Sequence, residues 1–377
     1  MRIKADELFT YLDLLVAARR PIKLDSEPGA GKSKMLEAYC RARDRDSRKA
    51  GRGGYGMFVL DMSKANIADI QGYMMPKDET GVLPDGTPIE LTSGKFTYPY
   101  FLYDQFTGRP AYEFNEGMII LEEWGQGGRE EKRACAPIIN DRRLGRWHFP
   151  HLDVCILSNR PEDRSGVTPE FDFLINRWTE ATLQPTLKGF LEVSAVLGMT
   201  ALTQAFAKRN EVLLFSGKVP EKQGPWMTQR SLHGLDDIFK EALAQGVPLD
   251  SGVMLTAAAG TVGEGPAKQY IAFMKHRSRV PTVSKVVADP IGCEIPGELD
   301  ALTFLIFDLA SKTTIANIGA LTTYVKRMPA DLAVTYFHAA TSRDEDLVST
   351  PEFGAFARSN QAVLTAIAMR LRKQAGK

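Results

Sequence analysis

A chain of 377 residues is too long for one typical core, so two or three domains are expected. A hydrophobic share of 44% and a charged share of 25% are ordinary for soluble globular proteins, and 47 Lys and Arg against 46 Asp and Glu give no electrostatic argument for a nucleic-acid or membrane partner. Four widely separated cysteines and five histidines without a ligand pattern exclude a disulfide framework and a zinc site.

The amino terminus carries Asp6 and Glu7 where a signal peptide needs an apolar run. No apolar stretch approaches the ~20 residues of a membrane span, so a reducing, cytoplasmic setting is expected. Ile22–Leu24 reads as a strand and 33–43 as a helix. Between them lies Ser26-Glu27-Pro28-Gly29-Ala30-Gly31-Lys32-Ser33. A glycine-rich loop between strand and helix, ending in Gly-Lys-Ser, is a phosphate cradle. Gly29 and Gly31 let backbone N–H groups turn inward, and the helix presents its positive end to the same spot. Lys32 is expected to reach the β- and γ-phosphates, and the Ser33 hydroxyl to hold Mg²⁺. The full pattern opens with Gly where this chain has Ser26, a position that mainly eases the exit from the strand.

Residues 41–56, rich in Arg and Gly, read as an exposed loop. Met57–Met62 reads as a second strand, followed by Ile70-Gln71-Gly72-Tyr73-Met74-Met75-Pro76. The turn signal Leu83-Pro84-Asp85-Gly86-Thr87 predicts a hairpin insertion near 83–98, and 99–106 reads as a helix. Met118–Leu121 is a buried strand ending in Glu122 and Glu123. Carboxylates at a strand's C-terminal edge are what a phosphate-loop enzyme needs. Glu122 is assigned to the metal and Glu123 to polarising the attacking water; Asp is the usual first acid. A helix at 130–140 and a hairpin near 142–150 precede the strand Val154–Ser158. That strand ends in Asn159, placed to bond the γ-phosphate or orient the water. A helix at 169–176 is followed by Arg177, which either satisfies its own helix carbonyls or reaches a neighbouring subunit's nucleotide. Ala181–Gln184 completes five strands, an alternation that predicts a parallel sheet covered by helices.

After Pro185 the chain turns helical, at Phe190–Lys208, Ser231–Ala244 and Gly252–Lys275. Arg230 starts the second of these and is a candidate to reach back to the phosphates. Ser278 to Pro296 reads as an irregular connector. Leu299–Ser311, Ile315–Arg327, Ala330–Thr341 and Phe353–Arg372 are again helical.

The order of phosphate loop, acidic strand end, strand-ending Asn, helix-ending Arg and lid Arg resembles the AAA+ ATPases. The finer likeness, through Asp69-Ile70-Gln71-Gly72-Tyr73 and the segment Lys132 to Leu144, is to the MoxR branch. The resemblance covers the chain to about residue 275, and Ser26, Glu122 and Trp178 depart from the pattern. It implies an α/β P-loop AAA+ core with a five-stranded parallel sheet over 1–186, an α-helical lid over 187–277 and a helical C-terminal extension over 278–377. It also implies a ring of this chain, usually a hexamer, with ATP and Mg²⁺ at subunit interfaces. The implied work is chaperone-like remodelling of a protein client, often one with a von Willebrand factor A-like domain. In such a ring Tyr73 and Met74 are candidate pore residues, unless they pack under the inserted hairpin. Two other readings stand beside this one: a DNA-acting ring ATPase, and a nucleotide-gated scaffold that barely hydrolyses ATP.

Overall fold

The computed structural model describes residues 1–160, 170–215, 220 and 224–359. The chain divides into two compact units, Met1–Gln184 and Pro185–Lys377.

The first unit runs β1 (Arg2–Lys4), α1 (Leu8–Ala17), β2 (Ile22–Ser26), α2 (Lys32–Lys49), β3 (Tyr55–Asp61) and α3 (Ile67–Gln71). It continues with β4 (Met74–Val82), β5 (Pro88–Phe96), β6 (Glu116–Glu122), α4 (Arg129–Asp141) and the short hairpin β7 (Arg143–Leu144) and β8 (Trp147–His148). β9 (Leu152–Asn159), α5 (Asp172–Ile175) and β10 (Thr179–Gln184) close it. One parallel sheet has the order β1-β10-β2-β9-β6-β3. Every residue of β2 and β9 is buried, as expected for parallel strands covered on both faces. Phe58, Leu60, Ile119, Leu121, Val154 and Ile156 form one face of the core with Cys135, Ile138 and Ile139 of α4. Because parallel strands need crossovers, the central strands all end at one edge. There Ser26 pairs in register with Asn159, and Asp61 with Glu122.

The sheet has six strands rather than five, because Arg2–Lys4 adds itself beside β10; three residues are too few to show a period. The segment 41–49 is helix, not loop. Its charges pair one turn apart, Arg41 with Glu37 and Arg48 with Asp44, while Met35, Leu36, Tyr39, Cys40 and Ser47 face inward. Only Tyr100–Leu102 of the expected helix at 99–106 is helical, as a single 3₁₀ turn. The buried Asp104 carboxylate accepts from Met57 N–H at 2.7 Å and Thr107 N–H at 2.9 Å, which fixes a turn there instead. β4 and β5 form an exposed antiparallel hairpin with its tip at 83–87.

The second unit contains α6 (Leu187–Val196), α7 (Ala201–Arg209), α8 (Glu211–Leu214), α9 (Gln229–Ala244), α10 (Gly252–Val262) and α11 (Glu264–Met274). α12 (Val283–Ala288), α13 (Leu299–Ser311), α14 (Ile318–Val325), α15 (Ala330–Arg343) and α16 (Pro351–Arg358) follow. Two expected long helices are each broken in two, at Gly198 (φ 74°) and Gly263 (φ 87°), left-handed positions that end a helix. A short helix, α12, also forms within the connector expected to be irregular. Helix α13 serves two cores. Phe304 and Phe307 pack with α7, α9, α10 and α11, whereas Leu305, Ile306 and Leu309 pack with α14, α15 and α16. The expected helix beyond residue 359 lies outside the described residues. Among the described residues, no helix is long and apolar enough to cross a membrane.

Candidate functional site

β2 delivers the loop Glu27 to Gly31 to the start of α2. Gly29 (φ 77°) and Gly31 (φ 82°) adopt the left-handed conformation that a side chain resists. Gly31 is the cap of α2, so Lys32 and Ser33 occupy its first turn, where helix N–H groups and the dipole favour an anion. Glu27 is half-buried and pairs with Arg160 at 3.7 Å, which ties the loop's start to the residue after Asn159. Pro28 stands half-buried in the bend, and Ala30 is buried under it.

Three residues expected from separate motifs meet through hydrogen bonds. The Lys32 ammonium donates to Asn159 Oδ1 at 3.0 Å, and Asn159 Nδ2 donates to Glu123 Oε2 at 3.1 Å. Gln126 Nε2 donates to the same Glu123 oxygen at 3.1 Å. Lys32 also donates to Ser26 Oγ at 2.8 Å and Ser26 O at 3.3 Å. Glu123 is left-handed (φ 49°, ψ 36°), a strained setting for a non-glycine residue. That bend turns the chain from the end of β6 into a 3₁₀ turn and holds its carboxylate on Asn159.

Glu122 is the last residue of β6 and half-buried. Its register partner Asp61 ends β3, so two carboxylates stand side by side at this edge. Burial raises the Asp61 pKa, but hydrogen bonds from Ser63 and Lys64 outweigh that and hold it below the usual range. Glu122 and Asp61 are hard oxygen donors of the kind that suit Mg²⁺, an ion that keeps several of its waters, and Ser33 on the first turn of α2 carries a hydroxyl of the same kind. Sequence reasoning missed Asp61 and Gln126. Asp61 carried a usable signal, an acid closing a buried strand as Glu122 does; Gln126 carried none.

One strand below the loop, β2 buries Lys23 and Asp25 on a single face. Lys23 Nζ lies 2.7 Å from Asp25 Oδ2 and 3.4 Å from Glu180 of β10, whose other oxygen accepts from Trp178 Nε1 at 3.2 Å. Burial pushes the Asp25 carboxyl up to about 6; Lys23 opposes this, and the adjacent Glu180 carboxylate adds to it.

Arg177 is exposed, one residue before the buried Trp178, with its backbone N–H bonded to Leu174 O at 2.8 Å. Arg230 is exposed on the first turn of α9, in the second unit, where Thr228 caps the helix.

No family model matches the chain, and no curated protein sequence matches it. Among solved structures it overlaps a mutant of RuvB from Thermotoga maritima at 12% identity and TM-score 0.37, covering 76% of this chain and 77% of that one. It overlaps the ADP form of the Aeropyrum pernix ORC2 protein at 14% identity and TM-score 0.39, covering 88% and 85%. NtrX from Brucella abortus in complex with ATP overlaps at 14% identity and TM-score 0.32, covering 95% and 67%. Overlaps this partial leave the site's own geometry as the ground for function.

Proposed function

We propose that this chain is an ATPase of the AAA+ type that binds and hydrolyses Mg-ATP to remodel a protein partner. One observation carries the reading. Behind a loop bent by Gly29 and Gly31, the Lys32 ammonium, the Asn159 amide and the Glu123 carboxylate form one hydrogen-bonded row at the ends of parallel strands. In this reading the loop 27–31 and the first turn of α2 wrap the phosphates, and Lys32 meets the β- and γ-oxygens. Ser33 and Glu122 would hold Mg²⁺, which would supply charge neutralisation when bound. Glu123 accepts the proton of the attacking water, and Asn159 keeps that carboxylate aimed.

Arg177 is proposed to complete the site of a neighbouring copy in a homo-oligomeric ring, with a hexamer the first expectation. Its exposed side chain at a helix end suits that role. Arg230 is proposed to couple the helical part to the nucleotide. Tyr73 and Met74, 59% and 66% exposed at the base of the hairpin rather than packed beneath it, are proposed to grip the client. A partner with a von Willebrand factor A-like domain is the first candidate, and a cytoplasmic setting is part of the same proposal. Four of the five arginines of the 41–52 segment favour a protein client over DNA. Arg41, Arg43, Arg48 and Arg52 each pair with an acid of this chain rather than forming a free basic patch.

Steady-state hydrolysis tests the reading. Lys32→Ala should lose nucleotide binding, while Glu123→Gln should bind ATP with turnover lowered by about 10²–10⁴. Equal, negligible rates in wild type and Glu123→Gln would replace the motor with a scaffold. Arg177→Ala should keep affinity and lose turnover, and mixing it with Lys32→Ala protein should restore part of it. A mixture with no rescue would sink action between subunits.

A further inference from the structure

We propose that Ser26 is a positioning residue that parks the Lys32 ammonium against the end of β2, so that a di- or triphosphate must displace it before the cradle can close. The proposal rests on the nucleotide reading of the loop. Ser26 stands where the phosphate-loop pattern has glycine, and it is fully buried. Its hydroxyl donates to Glu27 O at 3.0 Å, which turns the oxygen lone pairs toward Lys32 Nζ at 2.8 Å. Ser26 O at 3.3 Å and Asn159 Oδ1 at 3.0 Å are two further acceptors of the same ammonium. A lysine has three N–H donors, so these three acceptors are enough to occupy it. An incoming phosphate oxygen therefore competes with at least one of them. It wins because it is charged, but its net gain is smaller by the bond it breaks.

Glycine at this position would offer the carbonyl alone. The hydroxyl is thus an added brake on phosphate binding, peculiar to this chain's departure from the motif. Its position is rigid: Ser26 pairs in register with Asn159, so two of the residues that hold Lys32 move together. Displacing Lys32 also frees Asn159 Oδ1 while Asn159 Nδ2 still holds Glu123, so the arrival of phosphate is felt at the proposed base.

Two readouts test this on the full-length chain. The first is the acetylation rate of Lys32 by acetic anhydride without nucleotide, followed by peptide mass spectrometry. The second is affinity for ATP and AMP. In Ser26→Ala the Lys32 rate should rise severalfold relative to the other lysines. ATP affinity should tighten by about tenfold or more, the weight of one hydrogen bond to a charged group. AMP, which lacks the phosphates that Lys32 meets, should bind as before. Ser26→Thr keeps the hydroxyl and should behave as wild type. Ser26→Gly, which the loop accommodates by pattern, should repeat the alanine result if Ser26→Ala folds poorly. Unchanged labelling and affinity in both Ser26→Ala and Ser26→Gly would overturn the proposal, as would weaker ATP binding in both. Protection of Lys32 by ATP in wild type would leave the nucleotide reading standing in that case. If ATP protects Lys32 in no variant, the nucleotide reading falls and the brake with it.

Discussion

Asp25 in the first unit and Asp236 in the second are both buried carboxylates, and they are served very differently. Asp236 on α9 accepts from Thr200 N–H at 3.2 Å to each oxygen, from the Thr200 hydroxyl, from Thr203 Oγ1 at 2.6 Å and from Lys240 at 2.8 Å. Thr203 is in turn bonded to the buried Tyr270 hydroxyl at 2.6 Å. Asp25 has Lys23 on one oxygen, and its Oδ1 finds no donor among the described residues. The network around Asp236 closes its polar groups as a packing element should. The sheet unit leaves charge imperfectly balanced in the strand that leads into the phosphate loop. Such imbalance is costly and tends to be kept where function uses it.

The largest expected effect sits on the closed side. Asp236→Ala strips two threonine hydroxyls, a backbone N–H and a lysine of their common acceptor. It should destabilise the helical unit by about 3 kcal/mol. Urea unfolding followed by hydrogen exchange of α7, α9 and α11 measures it. A loss below about 1 kcal/mol would mean the network is replaceable by water, and the contrast with Asp25 would shrink.

Asp25 should show a smaller effect with a pH signature. Its folded carboxyl titrates near 6 against an ordinary 3.8, chiefly because it is buried. Between these values the folded chain holds a proton that the unfolded chain has lost. This group's stabilisation is therefore complete below about 3.8 and fades as pH rises toward 6. Asp153, also raised to about 6 by burial against the pull of Arg19 and Arg142, acts in the same direction. Glu180, whose pKa is lowered because the pull of Lys23 and hydrogen bonds outweigh burial, acts in the opposite direction. Asp25→Asn should flatten the fall in stability between pH 4 and 6 by up to about 1.4 kcal/mol per pH unit. Denaturation at several pH values reads this directly. An unaltered slope would assign the whole effect to Asp153.

The same contrast explains what could be read from the chain before its fold was known. Apolar runs such as Met118–Leu121 and Val154-Cys155-Ile156 announce buried strands, and the polar residues closing them, Glu122 and Asn159, stand out because they break the run. That much of the site was legible. The lower half was not, because Lys23 and Asp25 alternate with Ile22 and Leu24 and imitate a strand with one wet face, whereas all of β2 is buried. Only the neighbouring β10, remote in sequence, supplies Glu180 to meet Lys23. The charges that made 41–49 look like a loop are the helix's own surface pairs. The role of Ser26 was hidden for a similar reason: a motif marks it as a missing glycine, and only its geometry shows its hydroxyl on Lys32.

The smallest effect on stability is expected at the base of the hairpin, where the contrast between closed and open groups occurs within one residue. The backbone of Tyr73 is closed: its N–H donates to Thr97 Oγ1 and its C=O accepts from Thr97 N–H, both at 2.9 Å. Its ring is open, and Met74 and Met75 beside it are 66% and 53% exposed. An apolar group held on an anchored backbone but left in water gains nothing for the fold, so its removal should cost little. Tyr73→Ala should change unfolding free energy by less than about 0.5 kcal/mol and leave ATP turnover at the wild-type rate. If the proposed grip holds, processing of a protein client should nonetheless fail. A loss of stability well above that bound would place the ring in the fold's own packing, and intact client processing would move the grip away from this loop.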